Sequence, residues 1–143
     1  MKWLFSMLHV SVISPDKKVW EGEALAITIP TTTGHIQVLK NHVPLVSTLE
    51  AGEVSVKTEG GILAFAVSAG LLEVRPGNQV VVLANTAEAA NEIDEARAEA
   101  ARARAKDLLT QKTNTAEEYA MVMAMLQKEF VRLKVAMKHK RRS

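Results

Sequence analysis

Apolar residues alternate with other residues in short stretches of the first part of the chain. Leu8, Val10 and Val12 follow this period of two, and so do Val54 and Val56 further along. Turn signals containing glycine or proline separate such stretches at intervals of about 8–12 residues. Because alternation is typical of strands that bury one face, the pattern predicts about nine or ten short strands in a small antiparallel β-sandwich or a flattened barrel.

The pattern changes at the point where glycine and proline end. All 7 glycines and 4 prolines precede Asn78, and residues 78–143 contain neither. Since these two residues interrupt helices more than any others, their absence indicates long uninterrupted elements. We therefore predict a β-sandwich domain at residues 1–85, followed by a C-terminal two-helix hairpin at residues 86–143.

The two predicted helices differ in their apolar faces. Asn85 with Glu88, and Thr115 with Glu118, have the spacing of a capping box, and the first helix is expected from about Ala87 to Leu109. Its thin inner seam comprises Ile93, Ala96, Ala100, Ala103 and Leu108, and the fuller stripe of the second helix comprises Tyr119, Val122, Leu126, Phe130, Leu133 and Met137. Because alanine buries little apolar area, we expect a weakly held hairpin that is able to dock elsewhere.

Composition and charge exclude several classes of protein. The absence of cysteine excludes disulfides and thiolate zinc sites, and no apolar run approaches the roughly 20 residues of a membrane-spanning helix. Residues 1–85 contain 6 Lys and Arg against 7 Asp and Glu, whereas residues 86–143 contain 12 against 9. The excess of basic residues begins at Lys128. It indicates either a solvated helix end or a surface that contacts an acidic partner.

The sequence contains no familiar catalytic constellation. It has neither a GxGxxG nor a GxxxxGK[ST] phosphate motif. His35 and His42 have no third ligand nearby, so no metal site is predicted, and Ser47 and Ser68 lack an elbow motif. An enzyme is therefore the least favoured class.

The polar cluster of most interest opens the first predicted helix. Asp94 and Arg97 are three residues apart and share a helix face. One interpretation is a surface ion pair worth about a few tenths of a kcal/mol. The other assigns Arg97 to a phosphate and Asp94 to a base or ribose, with Lys128 and Arg132 adding charge from the second helix. The spacing leaves both interpretations open.

Several short motifs, taken in order, resemble the epsilon subunit of the bacterial F-type ATP synthase. They are LHVSVISP at 8–15, GHIQVLKNHVPL at 34–45, LEAG at 49–52, AFAVSAGLLEV at 64–74 and IDEARA at 93–98. Three positions depart from the usual pattern of that family: Gln37 replaces a glycine, Lys40 a proline, and Ala69 the first of two glycines.

The resemblance implies two five-stranded sheets followed by a helical hairpin, in a non-catalytic subunit of the rotor. Such a subunit grips gamma and lies on the c-ring of a proton- or sodium-translocating enzyme, peripheral to the cytoplasmic face of the bacterial cell membrane. Its hairpin is a regulatory arm that lies compact against the sandwich or extends beside gamma to the catalytic alpha and beta subunits, where it inhibits ATP hydrolysis. The resemblance implies no required cofactor, and contact with the membrane only through the complex.

The resemblance also implies ATP as a regulatory ligand. In some members of the family the compact hairpin binds ATP without hydrolysing it, through an Ile/Leu-Asp-x-x-Arg-Ala motif, an upstream glutamate and two arginines on the second helix. The corresponding positions here are Glu88, Ile93, Asp94, Arg97, Ala98, Lys128 and Arg132. Lysine lacks the bidentate fork of arginine, so Lys128 lowers the affinity that we expect.

Two other classes of protein remain open at this point. An unrelated β-sandwich adaptor with a coiled-coil arm would have the same pattern, and co-purification with an ATPase would distinguish it. The basic tail could also suit nucleic acid, but aromatic residues are not interleaved with its charges. We therefore expect no nucleic-acid partner.

Overall fold

The computed structural model describes residues 7–111 and 115–140. The chain divides into two compact units between Ala89 and Ala90. The described part contains no helix with the length and apolarity needed to span a membrane.

The first unit consists of ten strands in two layers. The strands are β1 Leu8–Ile13, β2 Lys18–Ala24, β3 Ala26–Thr31, β4 Gly34–Leu39, β5 Leu45–Leu49, β6 Gly52–Thr58, β7 Gly61–Val67, β8 Gly70–Arg75, β9 Gln79–Ala84 and β10 Ala87–Ala89. One layer has the order β4-β3-β6-β7-β10 and the other the order β5-β8-β9-β1-β2. One pair of backbone partners, Thr31 of β3 and Leu49 of β5, connects the strands of the two layers. The predicted sandwich of two five-stranded sheets is confirmed.

The core of this unit follows from the alternation in the sequence. Leu8, Val10 and Val12 are buried, as are Val54 and Val56, so the predicted apolar faces are the inner faces. Trp20 of β2 lies against Phe65 of β7, with ring centroids 6.1 Å apart, and this contact joins the two layers. Burial of these branched and aromatic side chains stabilises the sandwich.

One strand pairing differs from the antiparallel expectation. β1 and β9 are parallel, with Val10 opposite Val80 and Val12 opposite Val82, whereas β1 and β2 are antiparallel. The sequence pattern could not reveal this, because both kinds of pairing place alternate side chains on the same face. The two strands lie far apart in the chain, so no tight turn constrains their relative direction.

Glycine is required at two positions near the β8–β9 hairpin. Gly77 has φ of 83°, which suits glycine at the position after Pro76 in the turn between β8 and β9. A Cβ at Gly70 would lie 1.9 Å from the carbonyl oxygen of Leu83, so the backbones there approach too closely for any side chain. Ala69, which precedes Gly70, is exposed and therefore needs no glycine. Gln37 and Lys40 are also exposed, so none of the three departures from the family pattern disturbs the core.

The second unit consists of a short 3₁₀ turn at Ala90–Glu92 and two helices, α1 Glu95–Leu109 and α2 Ala116–Lys140. The helices pack against each other as a hairpin. At the start of α2, Thr115 Oγ1 accepts from the Glu118 N–H and the Glu118 carboxylate accepts from the Thr115 N–H, both at 3.1 Å. The capping box predicted for Thr115 and Glu118 is confirmed.

The predicted start of the first helix is wrong. Residues 87–89 pair with β7 as strand β10, with Glu88 opposite Ala66, and α1 begins only at Glu95. Asn85 caps no helix, because the residues that follow it form strand β10, and its own N–H donates to the Ala69 carbonyl. The edge of β7 satisfies backbone groups of this segment, and that tertiary pairing overrides the helix propensity of its alanines.

The predicted apolar faces of the hairpin are also partly wrong. On α1 the buried residues are Ala98 and Ala105, whereas Ala96, Ala100 and Ala103 of the predicted seam are exposed. On α2 the buried residues are Val122, Glu129, Val135 and Ala136. Of the predicted stripe, Val122 is buried, Leu126 and Leu133 are half-buried, and Tyr119, Phe130 and Met137 are exposed. The alanines of α1 occur on all sides of the helix, so their spacing alone does not show which face is buried.

Candidate functional site

Asp94 and Arg97 interact through the backbone of α1. Asp94 is the N-cap of the helix, with φ of −85° and ψ of 104°. One oxygen of its carboxylate accepts from the backbone N–H of Arg97 at 3.1 Å, and its carbonyl accepts from the N–H of Ala98 at 3.0 Å. A side-chain cap of this kind stabilises a helix by about 1 kcal/mol. Asp94 therefore has a structural role whether or not a ligand binds.

The guanidinium of Arg97 is available to a ligand. Its side chain is exposed and forms no ion pair with the described residues. The surface ion pair between Asp94 and Arg97, which was one of the two interpretations of their spacing, is therefore not formed, because the Asp94 carboxylate caps the backbone instead. This leaves an exposed cation within the first turn of α1.

Ile93 and Ala98 have packing roles. Ile93 is half-buried and its N–H donates to the Ala90 carbonyl at 3.4 Å. Ala98 is fully buried on α1. A small residue at a buried helix position allows close approach of a neighbour, so Ala98 suits the packing of α1.

Glu88 lies in the first unit, on β10, and is half-buried. The other six predicted site residues lie in the second unit, beyond the division between Ala89 and Ala90. The expectation that Glu88 belongs to the same helix as the motif at 93–98 is therefore wrong.

Lys128 and Arg132 lie one turn apart on α2 and have different surroundings. Lys128 is half-buried and forms no ion pair with the described residues. Arg132 donates from Nη1 to the Glu129 carboxylate at 2.7 Å. The side chains of Arg132 and Glu129 are only 19% and 10% exposed. The positive charge of Arg132 is therefore already neutralised within α2.

Glu129 is a buried, paired residue of α2 that the sequence interpretation missed. Within the described part of the chain it is the one buried residue that carries a charge. The available signal was its spacing of three residues from Arg132, which permits an intrahelical ion pair. Its burial could not be read from the sequence, because a lone acid in a basic segment resembles an ordinary surface residue.

The predicted site residues on α1 and those on α2 lie at similar distances from the connected end of the hairpin. Arg97 lies twelve residues before the last residue of α1, and Lys128 lies twelve residues after the first residue of α2. At 1.5 Å per residue each is about 18 Å from the connected end of the hairpin. Because consecutive helices joined by a short link pack antiparallel, the segment at 93–97 lies level with the segment at 128–132.

The charged groups of the hairpin differ from those of the first unit. The described residues contain no group of three or more His, Cys, Asp or Glu that could hold a metal ion. The carboxylates with a shifted pKa lie in the first unit instead. The pKa of Glu73 is lowered by a hydrogen bond from Arg75, and the pKa of Glu21 by hydrogen bonds from Lys18 and then His9. The hairpin thus offers two cations, Arg97 and Lys128, beside a capped helix N-terminus.

Comparison with known proteins identifies the family. Residues 7–90 match the model of the ATP synthase delta/epsilon chain β-sandwich domain, and residues 91–137 match the long α-helix domain of the same chains. The ATP synthase epsilon chain of Chloroflexus aggregans is 39% identical over 133 residues, which are 93% of this chain and 94% of the relative. That of Caldanaerobacter subterraneus is 39% identical over 132 residues, or 92% and 94% of the two chains.

Solved structures show the same fold at lower identity. A chain of the mitochondrial ATP synthase of Euglena gracilis, solved with the c-ring, has a TM-score of 0.75 at 22% identity, over 92% of this chain and 82% of that one. A chain from the central stalk and c-ring of the Tetrahymena thermophila enzyme has a TM-score of 0.59 at 12% identity, over 92% and 97%. The protein belongs to the family of bacterial F-type ATP synthase epsilon chains, which are non-catalytic subunits of the central stalk.

Proposed function

We propose that this chain couples gamma to the c-ring of a proton- or sodium-translocating F-type ATP synthase, and that its C-terminal hairpin inhibits ATP hydrolysis. It acts as a peripheral subunit at the cytoplasmic face of the bacterial cell membrane and reaches the membrane only through the complex. Membership of the epsilon family supports the coupling role. So does the likeness to chains solved within central-stalk and c-ring assemblies.

The observation that carries the inhibitory role is the exposure of large apolar side chains on α2. Tyr119, Phe130 and Met137 are 49%, 56% and 49% exposed. Exposed apolar surface of this kind marks a site of contact with another protein. We assign these side chains to contacts with gamma and with the catalytic alpha and beta subunits, made when the hairpin extends.

The charges of the hairpin support an acidic partner in the extended state. Arg104, Lys106 and Lys134 are exposed and form no ion pair with the described residues. Complementary charges at an interface accelerate association and select the partner. Acidic loops on the catalytic subunits would provide the complementary surface.

ATP is the proposed regulatory ligand of this arm, and the coupling role requires no cofactor. Arg97 and Lys128 lie at the same level of the hairpin and would bind phosphate oxygens. Asp94 uses one carboxylate oxygen as a cap, and the other could accept from a ribose hydroxyl or a base amine. ATP at ten times its dissociation constant would stabilise the binding-competent hairpin by about 1.4 kcal/mol.

A calorimetric titration of the full chain with ATP tests the ligand. Binding by the wild type should be saturable, and Arg97→Ala should abolish it. Arg104→Ala is the matched control, since Arg104 is an exposed arginine two turns further along the same helix. Failure of the wild type to bind at millimolar ATP would contradict the ATP site and leave the inhibitory arm to protein contacts alone.

The coupling role is tested by assembly with isolated gamma. We expect the full chain and gamma to elute together in size-exclusion chromatography, and to retain a c-ring that neither component alone retains. Separate elution of the two chains at micromolar concentration would contradict this role.

A further inference from the structure

A buried ion pair within α2 involves one of the two basic residues assigned to ATP. Glu129 is 7% exposed, and its carboxylate accepts from Arg132 Nη1 at 2.7 Å. The neighbouring turn contains Lys128, which has no such partner among the described residues. Of the two basic residues of α2 that are assigned to ATP, only Lys128 is thus available to an anion without rearrangement.

We propose that Glu129 is an affinity-determining residue that sequesters Arg132 and thereby weakens the binding of a triphosphate to the hairpin. This inference rests on the ATP site proposed above. A phosphate that takes Arg132 from Glu129 strands a buried carboxylate without its partner, which is costly. A phosphate that binds beside the intact pair gains little attraction from Arg132, because the carboxylate of Glu129 already balances its charge. Either route lowers affinity.

Glu129 is able to weaken triphosphate binding because its ion pair is buried. An exposed ion pair on α1 provides the comparison. Glu99 and Arg102 on α1 have the same spacing of three residues and an N–O distance of 2.9 Å, but their side chains are 55% and 41% exposed. Water screens an exposed pair, which exchanges partners at little cost. Glu129 and Arg132 are largely removed from water, so their attraction is less screened.

The consequence is an arm with a reduced response to ATP. Arg97 and Lys128 supply two positive charges against the triphosphate, while the third is neutralised within α2. Protein contacts of the hairpin therefore govern its position over a wider range of ATP concentration than they would with Arg132 available.

The test is a calorimetric ATP titration of full-length wild type, Glu129→Gln and Glu99→Gln. Glutamine keeps the size and a hydrogen-bond acceptor but removes the charge. We expect Glu129→Gln to tighten ATP binding about tenfold, the effect of one charge-assisted hydrogen bond. Glu99→Gln should leave the affinity unchanged. Inorganic triphosphate, used as a second probe, should show the same gain, because the effect acts on phosphate and not on the base.

A double variant shows whether the gain acts through Arg132. Adding Arg132→Gln to Glu129→Gln removes the ion pair without leaving an unpaired buried carboxylate, and should return the ATP affinity to about its wild-type value. Circular dichroism of each variant reports whether the helices are intact. If Glu129→Gln loses helix content, the double variant remains a test, since an affinity far below that of the wild type would show that Arg132 already contributes to binding there and would overturn the inference.

The outcomes separate this inference from the proposed ATP site. Tighter binding by Glu129→Gln, reversed by Arg132→Gln, supports it even where the wild type binds too weakly to measure. Unchanged affinity in Glu129→Gln, with binding still lost in Arg97→Ala, overturns the inference and leaves the ATP site intact. Absence of binding by every variant overturns both.

Discussion

The two units of this chain bury different kinds of side chain. The main core lies entirely in the β-sandwich and consists mostly of valine, leucine and isoleucine. In the described part of the hairpin the buried residues are three alanines, two valines and one charged residue, Glu129. At the same time α2 exposes Tyr119, Phe130 and four methionines. The sandwich is thus stabilised by a core of its own. The hairpin gains little stability from its own packing and exposes apolar surface to which other proteins can bind.

The largest expected effect is on the core of the sandwich. Leu72 on β8 is fully buried, and Leu72→Ala should lower the free energy of unfolding by about 2–5 kcal/mol through lost burial and a cavity. The adjacent Leu71 is 40% exposed, so Leu71→Ala should cost well under half as much. Urea unfolding at equilibrium measures both. Equal losses would show that the predicted inner and outer faces of β8 are not distinct.

A smaller effect is expected at the start of the hairpin. Asp94→Ala removes the N-cap of α1 and should lower helix stability by about 1 kcal/mol, measured by thermal unfolding followed at 222 nm in the far-ultraviolet dichroism. Asp94→Asn retains a capping oxygen and should be nearly neutral. A loss of the same size in both variants would assign the effect to the charge and not to the cap.

Phe130 provides the sharpest contrast with the core. It is as large as the core residues but 56% exposed, so Phe130→Ala should change the stability of the free chain by about 0.5 kcal/mol or less. The same variant should weaken inhibition of ATP hydrolysis in the assembled complex. A large loss of stability without any loss of inhibition would make Phe130 a packing residue and contradict the assignment of the exposed face.

The smallest effect concerns an exposed cluster on the sandwich. Lys18, and then His9, hold the pKa of Glu21 below its ordinary value. Because the pKa is lower in the folded state, the contribution of Glu21 to stability is present above the pKa of the unfolded chain and is lost as pH falls through the folded pKa. Wild type and Glu21→Gln should therefore differ slightly near neutral pH and converge in acid. A difference that grows as pH falls would reverse the sign.

The difference between the sandwich and the hairpin also explains which parts of the fold could be predicted from the sequence. Alternation at Leu8, Val10 and Val12 defined the inner face of β1, because a strand has only two faces. The helix faces were harder, since alanines occupy all sides of α1 and apolar residues most of α2. Strand β10 was missed because pairing with β7 overrides a helix-favouring sequence.

The candidate site was predicted in its spacing but not in its contacts. The motif at 93–98 predicted the positions of Asp94 and Arg97, and equal distances from the hairpin link place Lys128 level with them. The capping role of Asp94 depends on where α1 begins, which was predicted eight residues too early. The role of Glu129 depends on burial within the hairpin, and no local pattern specifies burial.

The most direct test of the account is the rate of ATP hydrolysis by a reconstituted alpha, beta and gamma complex. We would compare the complex with the full chain and with a chain that ends at Ala89. The account predicts that both chains bind gamma and that only the full chain lowers the rate. Equal rates with both chains bound would contradict the assignment of the hairpin as the inhibitory arm.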